Sequence, residues 1–464
     1  MTPLPDPQPN PQVDKQQAWR ALIALCVGLF MTLLDQSLVA VALPRIREDL
    51  DASLNQVVWV SAVYLLAFAV PLLVTGRLGD RFGQRSVYLV GMALFTAAAL
   101  ACAFAPTIEW LIALRAVQGL GGSLLNPQPL SIITRIFPRA RRGTAMGVWS
   151  AVASSAGLFG PVIGGVLVGT VGWRWVFAFY VPLGLVSLVL VARFVPRLPR
   201  SVGHIDLLSV VVSLIAVLGV VVALQQGPEF DWAWWIWAVL ATGLLAFVVF
   251  IHRQLHVGAG ALVPPGLFRH RNFRLGIIAV STLGFAVYSV NLPIMLYLQT
   301  GAGLSAASAG LMLVPMGVLS VILAPFAGRL TDRLAPGLLS KVGFGSLIAA
   351  MVLFGTFMHA GVPVGWFLLP VLLLGAANAL AWSPNSAITM RDLPTSLAGA
   401  GSGVYNTSRQ VGAVLGAAAL GAVMQMGEGV TGFGAAMGNA MLVPVALLVV
   451  GLLAVSRFQA DAPR

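Results

Sequence analysis

The sequence predicts an all-α integral membrane protein of about fourteen transmembrane helices, arranged as two six-helix bundles with two extra central helices. Three observations predict this fold class. First, 58% of the 464 residues are hydrophobic and only 9% are charged, whereas roughly a quarter of the residues of a soluble domain are charged. Second, the apolar residues form successive stretches of about 20, the length that spans a bilayer. Third, the basic residues collect in alternate loops between these stretches.

Clusters of Gly, Pro and charged residues separate the apolar segments. The segments of the first bundle are approximately 19–43, 56–76, 86–106, 110–133, 144–169 and 173–195. The central pair is 205–226 and 232–252, and the second bundle is 273–299, 305–327, 338–359, 364–390, 398–424 and 436–456. The predicted domains are a disordered cytoplasmic tail (1–18), an N-terminal six-helix bundle (19–200), two inserted helices with a linker (201–265) and a C-terminal six-helix bundle (266–464).

The distribution of Lys and Arg predicts the orientation, because basic residues favour cytoplasmic loops. One predicted side of the membrane carries most of them, including the run from Arg253 to Arg274. The other side holds only Arg45, Arg47 and Arg174, beside acidic residues. The alternation predicts an even number of helices, with both termini in the cytoplasm. The expected location is the inner (plasma) membrane of a bacterium.

Composition also excludes several functions. The formal net charge of +12 does not indicate nucleic-acid binding, because the basic residues are scattered between apolar runs. Cys26 and Cys102 lie within apolar segments and are expected to be packing residues. His252 and His256 have the spacing of a metal pair but no third ligand nearby, so no metal is predicted. No nucleotide loop or other cofactor site is recognised, which leaves an ion gradient as the energy source.

The segment Gly76-Arg-Leu-Gly-Asp-Arg-Phe-Gly-Gln-Arg85 is placed in the loop after the second helix. Its first part recurs as Gly328-Arg-Leu-Thr-Asp-Arg333, in the corresponding loop of the last six helices. The repetition indicates two related halves, with a substrate path between them. The glycines would allow a tight turn and the charges would rearrange between conformations. The candidate switch residues are Gly76, Asp80, Arg81, Gly83 and Arg85.

Asp35 is the only carboxylate deep within a predicted span. Placing an ionised Asp there costs roughly 2.5 to 3.5 kcal/mol, so the residue needs a partner or a function. Arg115 is the candidate partner. We hypothesise that Asp35 loads and releases protons, and that rocking of the two halves changes its separation from Arg115 and thereby its proton affinity. A static ion pair is the alternative.

Further motifs lie in four predicted helices: Leu34-Asp35 to Pro44, Leu114-Arg115 to Gly119, Gly157 to Gly165 and Gly403 to Gly412. Together with the repeated loop they resemble the major facilitator superfamily, and specifically its fourteen-helix drug:proton antiporters. Ala40 stands where that group usually has Asn. The resemblance assigns an antiporter motif to Gly157, Gly160, Pro161, Gly164 and Gly165, and a helix 13 motif to Asn406 and Arg409. Arg409 either holds its helix in place or faces the cavity.

The resemblance implies a proton-coupled exporter that moves amphipathic drugs, antibiotics or related small molecules by alternating access, without enzyme activity. Its expected partners are the substrate, protons and membrane lipids, and it is expected to be monomeric. The segment Ser305 to Phe326 lacks an acidic residue, which favours neutral, zwitterionic or singly charged substrates. The candidate substrate-binding residues are Met31, Tyr64, Tyr288, Asn291, Met312, Met316, Asn378, Trp382 and Asn385.

Three other functions are compatible with parts of the pattern. A proton-coupled uptake symporter would share the fold, although the antiporter motif argues against it. A flippase of lipids or lipid precursors would also use an apolar cavity. A membrane-embedded enzyme is disfavoured, because no span carries His, Cys or carboxylates at catalytic spacing.

Overall fold

The computed structural model describes residues 14–198, 206–257, 261–331, 337–393, 395–428 and 432–459. Every regular element in these residues is helical, which confirms the predicted all-α fold. Of the predicted disordered tail, residues 1–13 lie outside the described part. Residues 15–18 already belong to the first helix, which begins at Lys15 and continues to Asp49.

The N-terminal bundle contains nine helical segments. They are α1 (Lys15–Asp49), α2 (Leu54–Ala69), α3 (Leu72–Phe82), α4 (Gln84–Ala103), α5 (Ile108–Leu125), α6 (Gln128–Ile136), α7 (Arg139–Thr170), α8 (Arg174–Ala178) and α9 (Tyr180–Phe194). The central pair is α10 (Leu207–Gln226) and α11 (Trp234–His256).

The C-terminal bundle has eight further α-helical segments. They are α12 (Arg271–Ser289), α13 (Asn291–Leu296), α14 (Ala306–Met312), α15 (Val314–Thr331), α16 (Leu338–Ala360), α17 (Leu368–Arg391), α18 (Thr395–Glu428) and α19 (Phe433–Ser456). Short 3-10 turns at Pro265–Arg269 and Val364–Phe367 precede α12 and α17, and a π-helical turn, Tyr297–Gly301, follows α13.

Each of the fourteen predicted spans coincides with helix, but five are broken into two α-helical pieces. The breaks lie within three residues of Pro71, Pro127, Pro182, Pro293 and Pro315, because proline lacks an amide N–H and its ring clashes with the preceding turn. Eleven described helices are long and apolar enough to cross a membrane, and Leu54–Ala69 and Ser155–Thr170 are shorter apolar helices. The count of fourteen therefore stays a prediction.

The exposed surface of the helices is apolar, whereas the interior holds polar groups. In α11, for example, Leu245 is 64% exposed and Val248 is 61% exposed. Asp35, Arg115 and Gln118, by contrast, are fully buried. This arrangement suits a protein whose outer helix surfaces face hydrocarbon, because a polar group is tolerated there only inside the bundle.

The two halves contact each other at the end of the bundle remote from Lys15 and Ser456. The side-chain amide of Gln299, in the C-terminal half, donates to the carbonyl of Val41 in α1 at 3.0 Å. On the same side, α7 packs directly on α14. These contacts close one end of the interface between the halves.

Candidate functional site

A buried pair of opposite charges joins α1 and α5. Nη1 of Arg115 lies 2.8 Å from Oδ2 of Asp35 and 2.9 Å from its Oδ1. Neither side chain is more than 1% exposed. The structure thus brings together the two residues that were paired from the sequence, because each intramembrane charge lowers the cost of burying the other.

Neighbouring groups hold Arg115 in place. Its Nε donates to the carbonyl of Val60 at 3.2 Å, and Nη1 donates to Oε1 of Gln118 at 2.8 Å. Nε2 of Gln118 in turn donates to Oδ1 of Asp35 at 3.2 Å. The guanidinium carbon also lies 4.1 Å from the ring centre of Tyr64, a cation–π distance. Asp35 and Arg115 therefore belong to one connected buried network.

Two buried tyrosines lie near this pair without hydrogen-bonding to it. Tyr64 in α2 and Tyr180 in α9 are both buried, and neither hydroxyl has a hydrogen-bond partner among the described residues. Tyr180 lies close enough to interact electrostatically with Asp35 and Arg115. Buried hydroxyls normally have a partner, so these two supply unused donors beside the charges. Sequence reasoning missed Tyr180, because no local pattern reveals which face of α9 meets α1.

A small cavity lies between the two halves, next to Arg115. Its volume is about 30 Å³, enough for one or two water molecules. The N-terminal half contributes Tyr64 and Arg115 to its lining, and the C-terminal half contributes Tyr288 and Asn291. Three predicted substrate residues therefore meet here. Because a drug-sized ligand needs roughly 300 Å³ or more, the path is closed at this level.

Aromatic and amide side chains form a second cluster in the C-terminal half. The rings of Tyr288 and Trp382 are 6.1 Å apart, and Nε1 of Trp382 donates to Oδ1 of Asn378 at 3.3 Å. The guanidinium carbon of Arg409 lies 5.9 Å from the Trp382 ring centre. Since Tyr288 also lines the small cavity, this cluster is continuous with the space between the halves.

The comparison with known families decides the identity. Residues 25–417 match the family model described as Major Facilitator Superfamily. The chain belongs to the Major Facilitator Superfamily. This membership, which was predicted from the motifs, is confirmed.

Relatives within the superfamily include proteins named for resistance and export. The chain is 34% identical to the tetracenomycin C resistance and export protein of Streptomyces glaucescens, covering 88% of this chain and 76% of that protein. It is 31% identical to the multidrug efflux pump LfrA of Mycolicibacterium smegmatis, over 88% and 81% of the two chains. An uncharacterized MFS-type transporter of Mycobacterium tuberculosis is 41% identical, over 94% and 80%. The chain is thus a multi-pass membrane transporter whose relatives include drug and antibiotic exporters.

Solved structures of the superfamily share the fold. The crystal structure of a D-xylose-proton symporter superimposes with a TM-score of 0.70 at 16% identity, covering 96% of this chain and 98% of that one. A peptide transporter of the POT family in complex with sulfate gives a TM-score of 0.68 at 17% identity, over 97% and 100%. At these identities the likeness shows the fold alone.

The residues of the predicted antiporter motif lie where α7 packs against α1 and against α14 of the C-terminal half. A side chain added at Gly160 would collide with Ser37 of α1, and one at Gly165 would lie 2.8 Å from the carbonyl oxygen of Ala306. The carbonyl of Pro161 lies against Gly310. Gly164 faces Leu38 and Val41, whereas Gly157 has open space around it. The small residues therefore permit close helix contact at four of these five positions.

The predicted switch loop is wrong in one respect, because Gly76 to Phe82 belong to helix α3. The tight turn is confined to Gly83, whose φ of 95° suits glycine. Arg81 lies over the Phe82 ring, and Arg85 donates to the carbonyl of Ala192. The side chain of Asp80 and those of the second copy, Gly328 to Arg333, lie outside the described part. Residues 76–82 continue the helical backbone hydrogen bonds of α3, and the helix ends at Gly83, where the positive φ of glycine lets the chain change direction.

The other predicted substrate residues lie in different surroundings. Met31 and Asn385 are fully buried, and Nδ2 of Asn385 donates to the hydroxyl of Tyr405 at 3.0 Å. Met312 and Met316 are partly buried at the α14–α15 break. Asn406 donates to the carbonyl of Ser402 at 3.0 Å. Their substrate contacts stay a prediction.

Proposed function

We propose that this transporter is a proton-coupled exporter, which exchanges protons for amphipathic drugs, antibiotics or related small molecules by alternating access. The observation that carries the proposal is the buried Asp35–Arg115 pair beside a cavity lined by both halves. A carboxylate in the membrane interior is the usual means of carrying a proton in such transporters. The printed names of the relatives, which include an export protein and an efflux pump, favour export over uptake.

Proton uptake at Asp35 would loosen the network around it. A neutral carboxyl loses its charge attraction to Arg115, while Arg115 keeps its hydrogen bonds to Val60 and Gln118. The guanidinium, which lines the cavity, then becomes free to interact with other groups there. Because linkage is reciprocal, a substrate that binds more tightly while Asp35 is ionised and holds Arg115 against the cavity wall would favour release of the proton from Asp35. Competition of this kind is what antiport requires.

The rocking hypothesis needs a correction in its detail. Asp35 and Arg115 both belong to the N-terminal bundle, on α1 and α5. A rigid rotation of one half against the other therefore leaves their separation unchanged. Such a rotation instead changes the cavity wall contributed by Tyr288 and Asn291. We infer that access to the pair changes, and that its geometry changes only locally.

The site also supports the remaining parts of the proposal. We propose that the protein acts as a monomer in the bacterial plasma membrane with both termini in the cytoplasm, because basic residues collect in the loops on that side. The contacts of Gln299 with Val41 would then close the outer end of the path. The driving force is the proton gradient, without a bound cofactor.

The test uses everted membrane vesicles energised with a proton gradient, with a panel of drugs and fluorescent dyes as substrates. Asp35→Asn keeps the shape of the side chain and removes its titration. We expect it to lower gradient-driven dye accumulation at least tenfold. Glu48→Gln is the matched control, because Glu48 is an exposed carboxylate on the same helix. Undiminished gradient-driven transport by Asp35→Asn would refute the assignment.

A further inference from the structure

Arg409 is a membrane-embedded cation without a matching carboxylate. It lies nine residues, or about 14 Å of helix, from the start of the apolar span Ala400–Gly427. Among the described residues, the C-terminal half has two acidic residues, Asp392 and Glu428, and both lie at the ends of helices. Arg115, the buried cation of the N-terminal half, has Asp35 as its partner. The two halves therefore differ in how they compensate a buried charge.

The guanidinium of Arg409 also lacks hydrogen bonds in the described part of the chain. Its Nε is buried and has no acceptor there. The contact that the structure does give it is the face of the Trp382 ring, 5.9 Å from the guanidinium carbon. Arginine has five N–H donors in a planar fork, so most of its capacity is unused. A charge held in this way inside a bundle is costly unless an anion joins it.

The surroundings of Arg409 suit an aromatic ligand. Trp382 is near both Arg409 and Tyr288: its ring centre is 5.9 Å from the guanidinium carbon and 6.1 Å from the centre of the Tyr288 ring. The hydrogen bond from Nε1 of Trp382 to Asn378 fixes the orientation of the indole. Tyr288 and Asn291 continue this surface to the cavity beside Arg115. All four side chains of the cluster, Arg409, Trp382, Tyr288 and Asn378, are only partly buried, which leaves them able to contact a ligand.

We propose that Arg409 and Trp382 form the binding site for the anionic head of a substrate, and that the preferred substrates are singly charged aromatic anions such as carboxylates. The guanidinium would donate two parallel hydrogen bonds to the carboxylate. Trp382 and Tyr288 would stack on the aromatic body. This inference rests on the proposed exporter function for its biological meaning, and it narrows the predicted substrate range from neutral, zwitterionic or singly charged molecules to anions.

The test compares two probes of nearly equal shape, 2-naphthoate and neutral 2-naphthamide. Binding to the purified full-length protein in detergent is followed by quenching of tryptophan fluorescence, without any proton gradient. We expect the wild type to bind naphthoate at least tenfold more tightly than naphthamide. Arg409→Gln should remove this preference while leaving the Kd for naphthamide within about twofold, and Arg409→Lys should keep part of it. Lys341→Gln, which removes one positive charge near the start of α16, should leave the preference intact.

The outcomes separate this site from a structural role and from the transport mechanism. If Arg409 only stabilised its helix, the wild type would bind both probes equally, or the variant would lose both together with its thermal stability; either result overturns the proposal. If Arg409→Gln does not fold, Arg409→Lys replaces it in the binding assay, because this variant keeps the positive charge but loses the planar guanidinium. Because the assay needs no gradient, failure of Asp35→Asn to affect transport would contradict the proposed antiport and leave the anion preference as a separate result.

Discussion

The Asp35–Arg115 pair allows a quantitative test of the buried network. Removing one partner of a buried ion pair leaves the other charge uncompensated and typically destabilises a protein by about 3 to 5 kcal/mol. In Asp35→Asn the guanidinium loses the negative charge of the carboxylate, whose oxygens lie 2.8 and 2.9 Å away. Its other contacts are neutral: the carbonyl of Val60, Gln118 and the rings of Tyr64 and Phe177. In Arg115→Gln the carboxylate keeps only the 3.2 Å contact from Gln118. The free energy of unfolding of each single variant should therefore be roughly 3 to 5 kcal/mol lower than that of the wild type.

The double variant should lose much less than the sum of the two. With both charges removed, the two new amides can hydrogen-bond each other at the same site, and replacing a buried ion pair by neutral groups is often nearly neutral. We expect the free energy of unfolding of the double variant to be about 1 to 3 kcal/mol lower than that of the wild type. This corresponds to a coupling energy of several kcal/mol between Asp35 and Arg115. The free energy of unfolding can be measured in mixed micelles by titration with SDS, followed by tryptophan fluorescence. Additive losses in the double variant would refute the view that the two charges stabilise each other.

Two further predictions test the structure away from this pair. Hydrogen bonds from Arg253 lower the pKa of Asp206, which caps the first inserted helix, to about 2. The stability that this pair contributes should therefore be fully present above about pH 4 and be lost as the pH falls through about 2. The measurement compares the free energy of unfolding of the wild type with that of Asp206→Asn from pH 6 to pH 2. A difference between the two proteins that does not change with pH would contradict the assignment. Gly165→Ala would place a methyl group 2.8 Å from the carbonyl oxygen of Ala306 and should slow transport at least tenfold by separating α7 from α14. Gly157→Ala, in open space, should change the rate by less than about twofold, and equal effects of the two variants would exclude steric contact as the cause.

The first inserted helix, α10, contacts both halves of the transporter. The amide of Asn55 in α2 donates to Oε1 of Gln226 in α10 at 3.0 Å and to Oε1 of Gln425 in α18 at 3.1 Å. Trp59 donates to the same atom of Gln226 at 3.2 Å. One polar cluster thus joins α2, α10 and α18. The proposed alternating access would move the halves against each other, so these hydrogen bonds would have to break and re-form in each cycle.

Much of the fold was predictable from the sequence, because hydrocarbon excludes charge wherever a helix crosses it. This rule located the helical segments and marked Asp35 as exceptional, and the cost of a lone charge pointed to Arg115. The prolines near the five breaks were also visible, but hydropathy alone does not show whether a proline bends a helix or ends a segment. Pro161 lies inside α7, whereas Pro127 separates α5 from α6.

Tertiary structure alone decided which side chains share a site. Tyr180 on α9 lies near Asp35 on α1, far away in the sequence, and Arg409 lies near Trp382 across the contact between the consecutive helices α17 and α18. It also decided that the cavity is closed to about 30 Å³ and that residues 76–82 are helical. The physical reason is that hydrophobic partition acts on each segment separately, and therefore can be read along the chain. Helix rotation, close packing at glycines and the pairing of polar groups depend on neighbours that only the folded bundle brings together.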